Sequence, residues 1–188
     1  MQSNPASPMR TRDAAAFLAV MAGVAAPWLT AASSVPWWMG AATLGLGLAL
    51  AILSAIDVET QRLPDTLTLP LIAFGVVMPA LIDRHAILWH VAGAALGYLA
   101  LWAVAQAYQA YRGHPGLGMG DAKLMAAAGA WLGPAGLPNV LMIAAFAALA
   151  AVGIAWWRGV DVTARTAIPF GPFLALGFWA TWLYGPLL

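Results

Sequence analysis

Apolar side chains run through this chain in seven long blocks: Ala14 to Ala32, Trp37 to Ile56, Leu67 to Ile82, Ile87 to Tyr111, Ala122 to Gly136, Val140 to Trp157 and Ile168 to Tyr184. Blocks of this length and low charge read as membrane-crossing helices, because a bilayer leaves no water to satisfy an unpaired backbone group. The pattern predicts an all-α fold, a polytopic membrane helix bundle of six to seven transmembrane helices. A single membrane domain is expected over 14–188, behind a disordered cytoplasmic tail over 1–13, whose first residues are rich in Ser, Asn, Gln and Pro. The first block, preceded by Arg10 and Arg12 and ending in the small residues Ala31, Ala32 and Ser33, also has the form of a signal peptide. Its removal would leave the orientation of every later span unchanged.

The fifth block is the uncertain crossing. Its fifteen residues reach only about 22 Å as a helix, against a hydrocarbon core of about 30 Å. Charge bias arbitrates between the two topologies. With a cytoplasmic N-terminus and seven crossings, Arg10, Arg12, Arg62, Arg112, Lys123, Arg158 and Arg165 lie inside and only Arg84 lies outside. If the fifth block does not cross, Arg158 and Arg165 move outside and the bias weakens. The positive-inside rule therefore favours seven spans, with the short fifth one in a thinned or protein-lined part of the bundle. Trp28, Trp37 and Trp38 then flank the outer side, and Trp156 and Trp157 the inner. Such places suit either an aromatic belt or helix contacts.

Composition narrows the function classes. The chain is 63% hydrophobic and 8% charged, with mean hydropathy +0.82, which leaves too little polar surface for a soluble domain. A net charge of +1 and scattered arginines give no footprint for nucleic acid. The absence of cysteine removes disulfides, thiolate metal sites and cysteine nucleophiles. His85, His90 and His114 share no ligand spacing, so neither a metal nor any other cofactor is expected. The lipid bilayer is the one partner that composition implies, and nothing in the pattern specifies an oligomeric state.

Seven acids remain to be weighed. Asp13, Asp83 and Asp161 lie beside or near arginines in short loops and read as solvated interface charges. The other four, Asp57, Glu59, Asp65 and Asp121, fall at the cytoplasmic boundary on the seven-span topology. Asp57 ends the second span, and Asp121 opens the fifth behind the turn Gly118-Met119-Gly120. Two carboxylates brought together from separate helix ends do not both ionise readily; they share a proton, so one can act as base and the other as acid. Helix dipoles suggest that Asp57, at a helix C-terminus, holds the proton, while Asp121, at an N-terminus, is ionised. Plainer readings stand beside these: Asp121 and Asp65 as N-caps, and Glu59 with Arg62 as a loop ion pair.

Three ordered motifs carry a resemblance. Ala55-Ile56-Asp57 precedes Leu63-Pro64-Asp65 and Leu67-Thr68-Leu69-Pro70; Gly118-Met119-Gly120-Asp121-Ala122-Lys123-Leu124 follows, with Gly129 and Gly133; Ile168-Pro169-Phe170-Gly171-Pro172-Phe173 comes last. Over about residues 45–178 the chain resembles the type IV prepilin peptidases, GxGD aspartic peptidases of family A24. The resemblance implies a membrane-embedded aspartic endopeptidase of the bacterial inner membrane. Such an enzyme removes the short basic leader of prepilins or pseudopilins at the cytoplasmic face, in pilus assembly or protein secretion. Asp57 and Asp121 match the catalytic aspartates, and Asp65 a supporting or structural acid. Gly118 and Gly120 would admit a stretched substrate. Lys123 would screen the carboxylates or meet acidic substrate groups, or else anchor the interface. Pro169 and Gly171 would break the start of the last span, either shaping the cleft or setting helix entry. Many bacterial members add an N-terminal, cysteine-rich, zinc-binding region and methylate the new terminus. With no cysteine here, peptidase activity without methyltransferase activity or zinc is expected.

Two competing functions use the same residues. In a non-catalytic scaffold or small transporter the boundary acids would bind protons or cations. Transport has little support, because no span interior carries an acid or base other than His90. A GxGD protease with a different substrate is the other, though in such enzymes the first aspartate sits inside a span in a different motif.

Overall fold

The computed structural model describes residues 15–16, 18–26, 36–113, 116, 118–159 and 169–185. The tail over 1–13, the candidate cleavage point near residue 33, Trp28 and His114 lie outside them. A first helix, α1, is described over 18–26. It is followed by α2 (Trp37–Thr60), α3 (Asp65–Ile82), α4 (Ala86–Arg112), α5 (Met119–Leu132), a 3₁₀ turn (Pro134–Gly136), α6 (Leu137–Trp157) and α7 (Gly171–Tyr184). No strand occurs among the described residues, and the fold is an all-α membrane bundle. Four of these segments, α2, α3, α4 and the stretch Pro134–Trp157, are long and apolar enough to cross a bilayer by themselves.

Contacts between named residues give the direction of each helix. Asp57, Gly47 and Thr43 of α2 meet Gly171, Trp179 and Trp182 of α7 in that order, so the two are antiparallel. Along α4, Trp89, His90, Gly93 and Gly97 meet Gly133, Ala130, Gly129 and Met125, again antiparallel. Asp65 and Leu71 of α3 meet Lys123 and Trp131 of α5, so those two run in parallel. Gly177 and Thr181 of α7 meet Val140 and Asn139 of α6 in reverse order. Met21 and Val24 of α1 receive Trp179 and Tyr184 of α7, which makes α1 and α7 parallel. α1 and α2, α3 and α4, α4 and α5, and α6 and α7 thus run in opposite directions.

α5 is the centre of the bundle. It packs on α4 and α3 and touches α7, and Asp121, Ala122 and every residue from Leu124 to Trp131 are buried. Alanine and glycine make this possible. A Cβ on Gly129 would lie 2.0 Å from the Gly93 carbonyl oxygen, and one on Gly97 would lie 2.4 Å from that of Met125, so α4 and α5 approach backbone to backbone in the small-residue manner of membrane helices. The Trp131 ring lies against Gly75, where a Cβ would come within 2.4 Å. Its Nε1–H donates to the Leu71 carbonyl at 2.8 Å.

Around this centre α7 is also largely buried, whereas α2, α3, α4 and α6 expose most of their apolar length. On α2 the buried set is Thr43, Leu46, Leu50, Leu53, Ser54 and Asp57, one face at helical spacing, while Leu44, Leu48 and Ile52 are exposed. Thr43 and Ser54 satisfy their hydroxyls on the carbonyls of Met39 and Leu50, at 2.8 and 2.7 Å. Trp37, Trp156 and Trp157 are 84%, 76% and 85% exposed at helix ends, which suits an aromatic belt.

Candidate active site

Four helix ends converge at one end of the bundle: the C-terminus of α2 and the N-termini of α3, α5 and α7. Asp57 belongs to the last turn of α2, which Gln61 closes in a left-handed conformation, φ 52°, donating its N–H to the Asp57 carbonyl at 2.8 Å. Asp121 is the third residue of α5, with its own N–H bonded to the Gly118 carbonyl at 3.1 Å. The side chains are only 5% and 8% exposed, and Asp121 lies within electrostatic reach of Asp57. The two motif aspartates are therefore brought together.

Each carboxylate has a backbone N–H. Gly118 serves Asp121, and Gly171, the first residue of α7, donates to Asp57 Oδ2 at 3.1 Å. The second donor changes the electrostatics expected from the ends of α2 and α5 alone. Asp57 sits at the negative end of α2 but also against the positive end of α7, so the dipole argument no longer separates the two acids. Sequence reasoning missed this contact. It located the break before α7, but not the carboxylate under which the helix begins.

The N-cap readings fail for both Asp121 and Asp65. Gly118 and Pro64 occupy those cap positions, and neither helix start has a side-chain cap bond. Asp65 instead accepts from Lys123 Nζ at 2.5 Å, tying the start of α3 to the first turns of α5. Lys123 is thus paired with Asp65, a partner that the sequence reading did not assign. Among the described residues, a Cβ on Gly118 would meet only Asp121 Oδ2 at 3.5 Å and the Gly120 nitrogen at 3.9 Å, both ordinary contacts. The space beside Gly120 is taken by Leu63, whose own Cβ would be 2.9 Å away, so Gly120 seats the Leu63-Pro64-Asp65 loop on α5.

Among the described residues no group of His, Cys, Asp and Glu is placed to hold a metal ion. His90 bonds through Nδ1 to the Ala130 carbonyl at 2.7 Å, inside the α4–α5 contact. Two neighbouring buried carboxylates can divide acid–base work between them, one taking a proton from water while the other protonates an amide carbonyl.

The sequence pattern described as the type IV leader peptidase family matches residues 44–153. Among similar proteins, the prepilin leader peptidase/N-methyltransferase of Burkholderia pseudomallei (strain K96243) is 45% identical over 144 residues, covering 77% of this chain and 46% of that protein. The proteins of the same description from Dickeya chrysanthemi and Xanthomonas campestris pv. campestris are 42% and 37% identical, over 74% and 79% of this chain and 50% and 51% of theirs. The chain thus spans about half the length of these relatives. No solved structure matches it significantly. With its long apolar helices and bacterial relatives, the chain is a bacterial integral membrane protein and belongs to the type IV leader peptidase family.

Proposed function

We propose that this chain is a membrane-embedded aspartic endopeptidase that removes the basic leader from type IV prepilins or pseudopilins. Asp57 and Asp121 are the catalytic pair. The ionised member takes a proton from water as its oxygen attacks the scissile carbonyl carbon, and the protonated member donates to the carbonyl oxygen. Collapse of the resulting diol breaks the C–N bond, and the departing amine takes up a proton. Lys123 and Asp65 support the site by holding α3 to α5, and Gly118 leaves room for substrate. The machinery lies within about residues 45–178 of a single membrane domain.

The observation that carries this proposal is the burial of the two motif aspartates at one cluster of helix ends, within electrostatic reach of each other and each with a backbone N–H. A cytoplasmic site in the bacterial inner membrane is supported by charge: among the described residues Arg62, Arg112, Lys123 and Arg158 lie at the same end of the bundle as the pair, and Arg84 at the other. A scaffold or transporter is less well supported. Among the described residues every acidic or basic side chain, His90 included, lies outside the helices or within five residues of a helix end, and the Nδ1 of His90 is bonded to Ala130.

Co-expression with a prepilin carrying a basic leader tests the proposal. Asp57→Asn and Asp121→Asn are each expected to abolish cleavage while the protein still accumulates in the membrane, and Asp65→Asn to retain part of it. Cleavage that survives Asp57→Asn sinks the assignment.

A further inference from the structure

The start of α7 is built around one hydrogen bond. Phe170 takes the cap position, at φ −88° and ψ −24°, and a proline follows in the first turn. Of the first four residues, Pro172 has no N–H to give. Phe173 and Leu174 both donate to the Phe170 carbonyl, at 3.1 Å each. That leaves Gly171, whose N–H goes to Asp57 Oδ2. The fit is close: a Cβ on Gly171 would stand 2.6 Å from Oδ2 and 2.9 Å from Cγ of Asp57. Only glycine lets this backbone lie against the carboxylate, and the contact is itself buried.

We propose that Gly171 is a positioning residue for the peptidase reaction: its N–H pins Oδ2 of Asp57, so that Oδ1 is the oxygen that exchanges a proton with water or substrate. This rests on Asp57 being catalytic, as set out above. A hydrogen bond in place before substrate arrives fixes the carboxylate plane and adds the positive end of α7 to stabilise its ionised form. It also gives the segment Pro169 to Phe173 a task. The two prolines and the glycine set where α7 begins, and that start must fall under Asp57.

The test compares three forms of the full chain, purified in detergent, on a leader-containing peptide with a basic leader. Gly171→Ala keeps the N–H but drives a methyl into the carboxylate. Replacing glycine 171 with glycolic acid by cell-free translation makes the 170–171 link an ester, which removes the N–H and adds no atoms. Gly177→Ala is the packing control, because its Cβ would meet the Val140 carbonyl at 2.4 Å, in the same helix but away from Asp57. The ester form is expected to lose about 10- to 100-fold in kcat, the range for a hydrogen bond to a charged group. Its KM should stay within about twofold, since substrate binding is untouched, and its melting temperature should fall only slightly, because the ester carbonyl of residue 170 still accepts, more weakly, from Phe173 and Leu174. Gly171→Ala should fall at least as far in kcat. Gly177→Ala should lower the melting temperature while its folded fraction keeps wild-type kcat. An ester form with wild-type kcat, or one that loses only KM, overturns the positioning role and leaves the peptidase assignment standing. A wild-type chain inert on every leader peptide overturns both.

Discussion

The ion pair between Lys123 and Asp65 allows a sharp prediction, because its exposure bounds its strength. The two side chains are 29% and 56% exposed. Pairs this wet contribute about 0.2–1 kcal/mol in double-mutant cycles. Asp65, as the first residue of α3, gains about another 0.3–1 kcal/mol from the helix dipole. Asp65→Asn should therefore cost at most about 2 kcal/mol of stability, and Lys123→Gln about half that. If the pair merely holds α3 to α5, kcat/KM should fall by no more than about fivefold in either single variant, because 1 kcal/mol is about that factor. The double variant should be little worse than Asp65→Asn. The assay is cleavage of a leader peptide alongside thermal unfolding, at low salt and at about 0.5 M, where screening should shrink the cycle's coupling energy. If Asp65→Asn is as dead as Asp57→Asn while melting like wild type, Asp65 takes part in the chemistry and the bridging role is wrong. A salt-insensitive coupling well above 1 kcal/mol would also contradict the exposed-pair account.

Two further outcomes follow from the packing of α5. Gly129→Ala would put a methyl 2.0 Å from the Gly93 carbonyl oxygen, and relieving it needs helix movement of more than 1 Å, costing about 1–3 kcal/mol or more; thermal unfolding in detergent should show the loss, and an unchanged melting temperature would mean that α4 and α5 are not in close contact. His90→Leu removes the bond to the Ala130 carbonyl and should cost about 1 kcal/mol of stability; cleavage per folded molecule should be unaffected, and a tenfold loss of kcat would assign His90 a part in the reaction.

The helices were legible because lipid demands it. A crossing segment has to be apolar without interruption, so the blocks starting at Trp37, Leu67, Ile87 and Val140 reappear as α2, α3, α4 and α6 with ends shifted by a few residues. The inner face of each helix was not legible, for the same reason. Leu46 and Leu50 are buried while Leu44 and Leu48 on the same helix face outward; a leucine suits either side, so periodicity carries no signal. The polar members of the buried face of α2, Thr43, Ser54 and Asp57, offered the cue that hydrophobicity could not. The site was legible in its acids and not in its backbone. Asp57 and Asp121 stand out as costly charges at span boundaries. The N–H that Gly171 gives to Asp57 depends on how α2 and α7 cross, which no local pattern encodes, and Asp65 looked like a cap because its partner Lys123 lies on another helix.

The shortness of the fifth block and the carboxylate at its head have one physical explanation. α5 has 14 residues, about 21 Å of helix, too short to match a bilayer if its sides faced lipid. It packs on α3, α4 and α7, with all of its residues from Leu124 to Trp131 buried, so its sides are met by protein and no match to the hydrocarbon is required. That arrangement needs a helix thin enough to be surrounded. Ala126, Ala127, Ala128, Gly129 and Ala130 supply it, and Gly93 and Gly97 of α4 let the neighbour close in. A central helix then brings its first turn up among other helix ends rather than into headgroups, and Asp121 is shielded beside Asp57 instead of being solvated alone. The alanine-rich shortness that counted against a crossing is thus what allows α5 to carry a buried carboxylate to the middle of the site.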